Sequence, residues 1–135
     1  MQFLANLHQL GDVGLLALRI GVGVIFLVHG SQKWAMWKMQ PSAQMPVGML
    51  ATMKFLSIVE PLGGLAVLVG FLTQFAAAGL GIIMIGAIQF KIGQMHRKFS
   101  GEGGWEFDLI LLAAAIVLFF SGAGQLSADR LLFGI

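Results

Sequence analysis

Hydrophobic residues fill four long runs of this chain, at 13–30, 53–72, 75–92 and 105–121, and the stretches between them collect lysine, glycine, proline and serine. A run the length of 13–30 makes about 27 Å of helix at 1.5 Å per residue, close to the roughly 30 Å of a bilayer's hydrocarbon core. Four such runs predict four transmembrane helices. The Thr73-Gln74 turn between the second and third allows only an antiparallel return. The expected fold class is therefore all-α: a polytopic, antiparallel four-transmembrane-helix bundle in a single domain over residues 1–135. Asp12 is placed to cap the first helix, and Asp108 suits the dipole at the start of the fourth. The tail after Ser121 is expected to lie along the membrane interface.

Polar residues inside the runs recur at helical spacing. Arg19, Gly23, Phe26, Gly30 and Lys33 fall on one stripe with His29 on its flank. Ser57, Glu60 and Gly64 line up on the second helix, and Gly86, Gln89, Gly93 and His96 on the third. In lipid such faces turn inward, which predicts a polar chamber. An arginine at mid-helix costs at least about 2.5–3.5 kcal/mol in a bilayer and needs a partner. Glu60 and Glu106 are the candidate counter-charges for Arg19. Gly30, Gly63 and Gly64 are positions where a flat ring could approach the backbone.

The totals sharpen this picture. The chain is 58% hydrophobic and 10% charged, more apolar than a soluble domain of 135 residues can bury. Cysteine and tyrosine are absent, so thiol chemistry and cysteine-held clusters are excluded and any redox chemistry needs a bound cofactor. Lys33, Lys38, Lys54, Lys91, Arg97 and Lys98 flank the loop ends of the runs, whereas only Arg130 lies on the terminal side. They read as topology signals that put the long loops in the cytoplasm and both termini outside, and not as a nucleic-acid surface. Trp34, Trp37 and Trp105 lie at that same interface. Residues 1–12 contain no lysine or arginine and are followed by no small-residue cleavage site, so no cleavable signal is expected.

Several residue types invite metal readings. Met36, Met39, Met45, Met49 and Met53 offer soft thioethers, but methionine is also a flexible filler and no neighbouring histidine or cysteine supports copper. His29 and His96 would have to face one iron for haem, which disfavours it. No metal site is assigned.

The ordered pieces RIGVGVIFLVHGSQKW, E-P-x-G-G, G-F-L-T-Q, G-W-E-F-D-L and G-x-G-Q-L-S-x-D together resemble the DoxX family of small four-helix bacterial membrane proteins. The resemblance covers nearly the whole chain and implies that Arg19, His29, Gly30, Lys33, Glu60, Gly64 and Glu106 are family-type positions. Some relatives are associated with quinone-linked thiosulfate oxidation or redox-stress complexes, and many have no assigned reaction. The resulting expectation is a membrane subunit of the bacterial cytoplasmic membrane that binds a quinone-like or other small amphipathic ligand for a redox partner protein. Arg19, His29, Lys33 and Gln89 would hold the ligand, and Glu60 and Glu106 would relay protons. If catalysis occurs, it is that of a quinone-linked oxidoreductase subunit. The alternatives are a scaffold held by buried ion pairs, or a small-molecule or proton transporter, which at this length implies a homo-oligomer.

Overall fold

The computed structural model describes residues 10–135. The stretch 1–9, on which most of the signal argument falls, lies outside the described residues. The described helices are α1 (Gly11–Gln32), a 3-10 helix (Lys33–Lys38), α2 (Val47–Val69), α3 (Thr73–Gly93), α4 (Glu106–Ser121) and a short α5 (Ala128–Phe133), and no strand occurs among the described residues. The helices containing the first three runs are long and apolar enough to cross a membrane. With 16 residues, α4 is shorter, about 24 Å. This is an all-helical membrane bundle, as the hydrophobic runs predict.

Two boundaries differ from the runs. The second helix begins at Val47, not 53, because Pro46 precedes it with φ −59° and ψ 157°. A proline cannot continue a helix but starts one readily, its fixed φ being suited to entry. That helix stops at Val69 because Gly70 turns left-handed at φ 74°.

The helices pack as two hairpins, α1 on α2 and α3 on α4, with slighter contact between the hairpins. A Cβ on Gly23 would stand 2.8 Å from the Gly64 carbonyl oxygen, and one on Gly30 would collide with the Pro61 ring. A Cβ on Gly63 would likewise meet Leu80. Gly30, Gly63 and Gly64 therefore admit neighbouring helices, not the flat ring the sequence suggests. The core between the hairpins is Val22, Phe26, Val67, Ala77, Leu80, Met84, Leu111 and Leu118. The inward stripes of α1 and α2 are as expected, with Arg19, Gly23, Phe26, Gly30, Ser57, Glu60 and Gly64 all buried. On α3 the buried face is instead Thr73, Ala77, Leu80, Gly81 and Met84, while Gly86, Gln89 and Gly93 are exposed. A helix this rich in small residues carries no amphipathic signal to fix its phase.

Arg19 ties the hairpins together at one end. Its side chain is 1% exposed and meets neither Glu60 nor Glu106. Four backbone carbonyls answer it instead: Nε donates to Val67 (3.0 Å), NH2 to Leu68 (3.1 Å), and NH1 to Ala123 (2.7 Å) and Leu126 (2.8 Å). Val67 and Leu68 lie in the last turn of α2, where carbonyls have lost their helical donors and the dipole is negative. The other two carbonyls come from the 122–127 loop. That loop is the G-x-G-Q-L-S-x-D motif, and it bends so that its oxygens face inward.

Asp129 completes the arrangement. Its carboxylate accepts from the Leu72 (2.6 Å) and Thr73 (2.9 Å) amides at the start of α3. α3 has no capping side chain of its own, and Leu72 sits at φ 47°, so a residue 57 positions away caps that helix. Gly70 must be glycine both for its left-handed φ and because a Cβ there would lie 2.6 Å from the Arg19 guanidinium. Asp12 does not cap α1, since its Oδ1 accepts from the Gln125 amide at 2.8 Å.

Replacing Arg19 by methionine leaves these buried carbonyls without the guanidinium that answers them. The expected cost is about 1–3 kcal/mol for each buried carbonyl left without a donor. Arg19→Lys should fail almost as badly, because one ammonium cannot reach the carbonyls that the guanidinium fork spans. Unfolding of the detergent-solubilised protein measures both; wild-type stability in either variant would rule out this role.

Candidate functional site

At the end opposite Arg19 the two hairpins are not drawn together, and a cavity of about 930 Å³ lies among the four long helices. That volume is within the roughly 300–1,000 Å³ typical of small-molecule sites. Phe26, Met49, Met53, Leu56, Ile83, Met84 and Leu111 give it an apolar wall, while His29, Lys33, Glu60, Gln89, Lys91 and Asp108 supply its polar groups.

Two ion pairs stand on this cavity, one within each hairpin. Lys33, at the start of the 3-10 helix, pairs with Glu60 on α2, whose side chain is 3% exposed. Lys91, near the end of α3, lies 2.6 Å from Asp108 Oδ2 on α4. That second contact is close but off-axis, so Oδ2 accepts no well-directed hydrogen bond; Lys91 also donates to the Gly104 carbonyl at 3.2 Å. Each carboxylate is buried to about nine-tenths or more, and its lysine reaches in from the more exposed rim.

The sequence-derived residues divide as follows. His29, Lys33, Glu60 and Gln89 all line the cavity. His29 stacks on Phe107 across α1 and α4, with ring centroids 5.5 Å apart. Arg19 does not line it and belongs to the far end of the bundle. Glu106 does not line it either: it is exposed, and only its amide is engaged, donating to the Phe99 carbonyl. Two residues along a helix is a turn of about 200°, so the carboxylate that faces inward is Asp108. His96 is exposed and also outside the lining. The charged cavity-lining positions that sequence reasoning missed are Asp108, read as a dipole residue, and Lys91, read as a topology signal. Their shared signal was present: an acid and a base each within two helical turns of the same loop.

The 3-10 helix that carries Lys33 is held in place through a vacancy made by Pro61. Proline has no N–H, so the carbonyl of Ser57, four residues earlier, loses its helical donor. Trp34 Nε1 donates to that carbonyl at 2.9 Å. Trp37 Nε1 donates to the Ser57 hydroxyl at 2.9 Å, and this hydroxyl donates in turn to the Lys54 carbonyl at 2.6 Å. Both tryptophans are still more than half exposed, at 60% and 54%. They serve as membrane-facing rings and as the fasteners that set Lys33 over Glu60.

Comparison with known proteins agrees with this architecture. The DoxX family profile matches residues 14–97. Among curated proteins, the chain is 35% identical to "Uncharacterized membrane protein Rv3486" of Mycobacterium tuberculosis, over 92% of this chain and 84% of that protein. It is 30% identical to "Putative oxidoreductase CatD" of Bacillus subtilis, over 90% of this chain and 89% of that protein. No solved structure matches it.

The tryptophan fastening is separable by a double-mutant cycle. Trp34→Phe should destabilise by about 1–3 kcal/mol, because it leaves the Ser57 carbonyl without a donor in an apolar setting. In a Pro61→Ala background the restored helical N–H satisfies that carbonyl, and the same Trp34→Phe change should cost much less. Equal costs in the two backgrounds would show that Trp34 acts only through its ring.

Proposed function

The chain belongs to the DoxX family, and from that premise we propose that it is a membrane subunit whose cavity holds a small amphipathic, quinone-like ligand for a redox partner. The observation that carries this reading is a cavity of about 930 Å³ with a largely apolar wall and two lysine–carboxylate pairs on it. An apolar slot suits a tail, and ammonium donors suit a polar head. Lys33 and Lys91 would donate to the head, Gln89 would add an amide contact, and the stacked rings of His29 and Phe107 would cover it. Glu60 would exchange protons with solvent through Lys33 at the rim. The oxidoreductase name of the Bacillus subtilis relative fits a redox partner of this kind. The chain has no cysteine, so on this reading electrons reach the ligand through a bound cofactor or the partner.

A scaffold without a ligand is the competing account, and one feature favours it: each ion pair closes within its own hairpin and needs no third group. His29 and Gln89 separate the two. Both are exposed at the cavity, so His29→Ala and Gln89→Ala should leave the fold intact. On the ligand reading, lipid extracts of gently purified protein contain quinone at near-equal amounts with protein, and both variants contain several-fold less. Equal quinone content in all three, or none in any, would support the scaffold.

The ends of the bundle also carry an orientation. Lys33, Lys38, Lys54, Lys91, Arg97 and Lys98 stand at the cavity end, so in the cytoplasmic membrane of a bacterium that end would face the cytoplasm. A reporter fused after Ile135 should then read out as external; a cytoplasmic signal would reverse the orientation.

A further inference from the structure

The lipid-facing side of α2 ends in a lysine. Lys54, Ile58, Leu62, Leu65 and Val69 follow one another at steps of three and four residues, so they share one face of the helix. The four apolar members are all exposed in a helix long and apolar enough to cross a membrane, and this face therefore meets acyl chains. Lys54 closes the stripe at the loop end, six residues before Glu60 and about 240° round the helix from it. Neither Lys54 nor Trp37 nor Lys38 lines the cavity.

Lys54 is part of a fixed cluster. Its ammonium stands 5.7 Å from the centroid of the Trp37 ring. Trp37 Nε1 donates to the Ser57 hydroxyl, which donates in turn to the Lys54 carbonyl, so ring and lysine are tied through one serine. Lys38, the next residue, ends the 3-10 helix and is exposed. From Leu10 to Val69 the acidic residues are Asp12, which accepts from Gln125 at the other end of the bundle, and Glu60, which holds Lys33. Among the described residues neither Lys54 nor Lys38 forms an ion pair.

We infer that Lys54, Trp37 and Lys38 bind the phosphate of an anionic phospholipid on the lipid-facing surface of α2, outside the cavity. A ring face attracts a cation but supplies no oxygen, so the ammonium protons still need acceptors. The long stem carries the Lys54 ammonium to the headgroup layer, where phosphate oxygens are the available anions. The stripe selects lipid phosphate over free phosphate, because Ile58 and Leu62 give acyl chains a surface that inorganic phosphate cannot use. Lys38 selects an anionic lipid over a zwitterionic one, whose own cation would stand beside two ammonium groups. Ser57 also links this surface to the cavity. Its carbonyl anchors Trp34, and the two tryptophans set Lys33 over Glu60, so a bound headgroup braces the 3-10 helix from the lipid side.

The test uses the full chain in detergent micelles and native mass spectrometry. Phosphatidylglycerol and phosphatidylcholine with the same acyl chains are the probes, and inorganic phosphate is the competitor. Wild type is expected to retain one phosphatidylglycerol about tenfold or more tightly than phosphatidylcholine, the factor that a hydrogen bond between charged groups supplies. Millimolar phosphate should not displace it. Lys54→Gln should weaken phosphatidylglycerol about tenfold, and Lys38→Gln less. Lys98→Gln removes the same charge from the same end of the bundle and should change it about twofold or less, since salt screens an exposed charge that makes no direct contact. Equal losses in Lys98→Gln and Lys54→Gln would reduce the effect to surface charge and overturn the site. Equal retention of the two lipids by wild type, or displacement by inorganic phosphate, would overturn it too. Should Lys54→Gln fail to fold, tryptophan fluorescence of wild type decides: brominated phosphatidylglycerol must quench more than brominated phosphatidylcholine, and equal quenching counts against the site.

Discussion

A guanidinium buried in an apolar helix is the constraint to which the rest of this bundle is fitted. No carboxylate touches Arg19; its four bonds go to backbone carbonyls, two in the last turn of α2 and two in the loop after α4. A cation served by dipoles in this way adds no second buried ion beside it, which avoids a further desolvation penalty. Only a five-donor fork can gather oxygens from segments this far apart in sequence. The glycine at 70, the bend of 122–127 and the reach of Asp129 to the start of α3 all follow from that geometry.

The same interaction explains why a cavity exists at the other end. The hairpins are joined where Arg19 and Asp129 sit, and their ion pairs elsewhere are internal: Lys33–Glu60 closes α1 on α2, and Lys91–Asp108 closes α3 on α4. Neither pair pulls one hairpin toward the other. The polar groups thus brace the walls of the cavity without filling it, and at its rim His29 stacks on Phe107 across α1 and α4.

Much of this was legible in the sequence, and the failures have physical reasons. Helix number, order and direction follow from hydrophobic runs, because a bilayer demands satisfied backbone over a fixed thickness. The inward faces of α1 and α2 were readable since each mixes polar and small residues with bulky ones at a clear helical period. α3 has no such contrast: of its expected inward face Gly86 and Gln89 line the cavity, whereas Gly93 and His96 do not. The partner of Arg19 was sought among carboxylates because side chains can be read in a sequence, whereas a free carbonyl is a property of where a helix ends. For the same reason Trp34 could be recognised as interfacial, but its bond to the Ser57 carbonyl depends on the donor that Pro61 removes and on the path of the 3-10 helix. Glu106 and Asp108 are two residues apart, and only the exact start of α4 decides which one faces the cavity.

The spacing of the Arg19 ligands bears on how the protein is made. Ala123 and Leu126 lie 104 and 107 residues downstream of the arginine they hold. A chain that enters the membrane from its N-terminus must place α1 with an uncompensated cation, gain two carbonyls when α2 arrives, and wait for the final loop to complete the set. Until then the nascent bundle contains a charge that water, lipid headgroups or an insertion factor must attend. Synthesis that stops just after α4 would leave every long helix present but two of the four Arg19 bonds unmade.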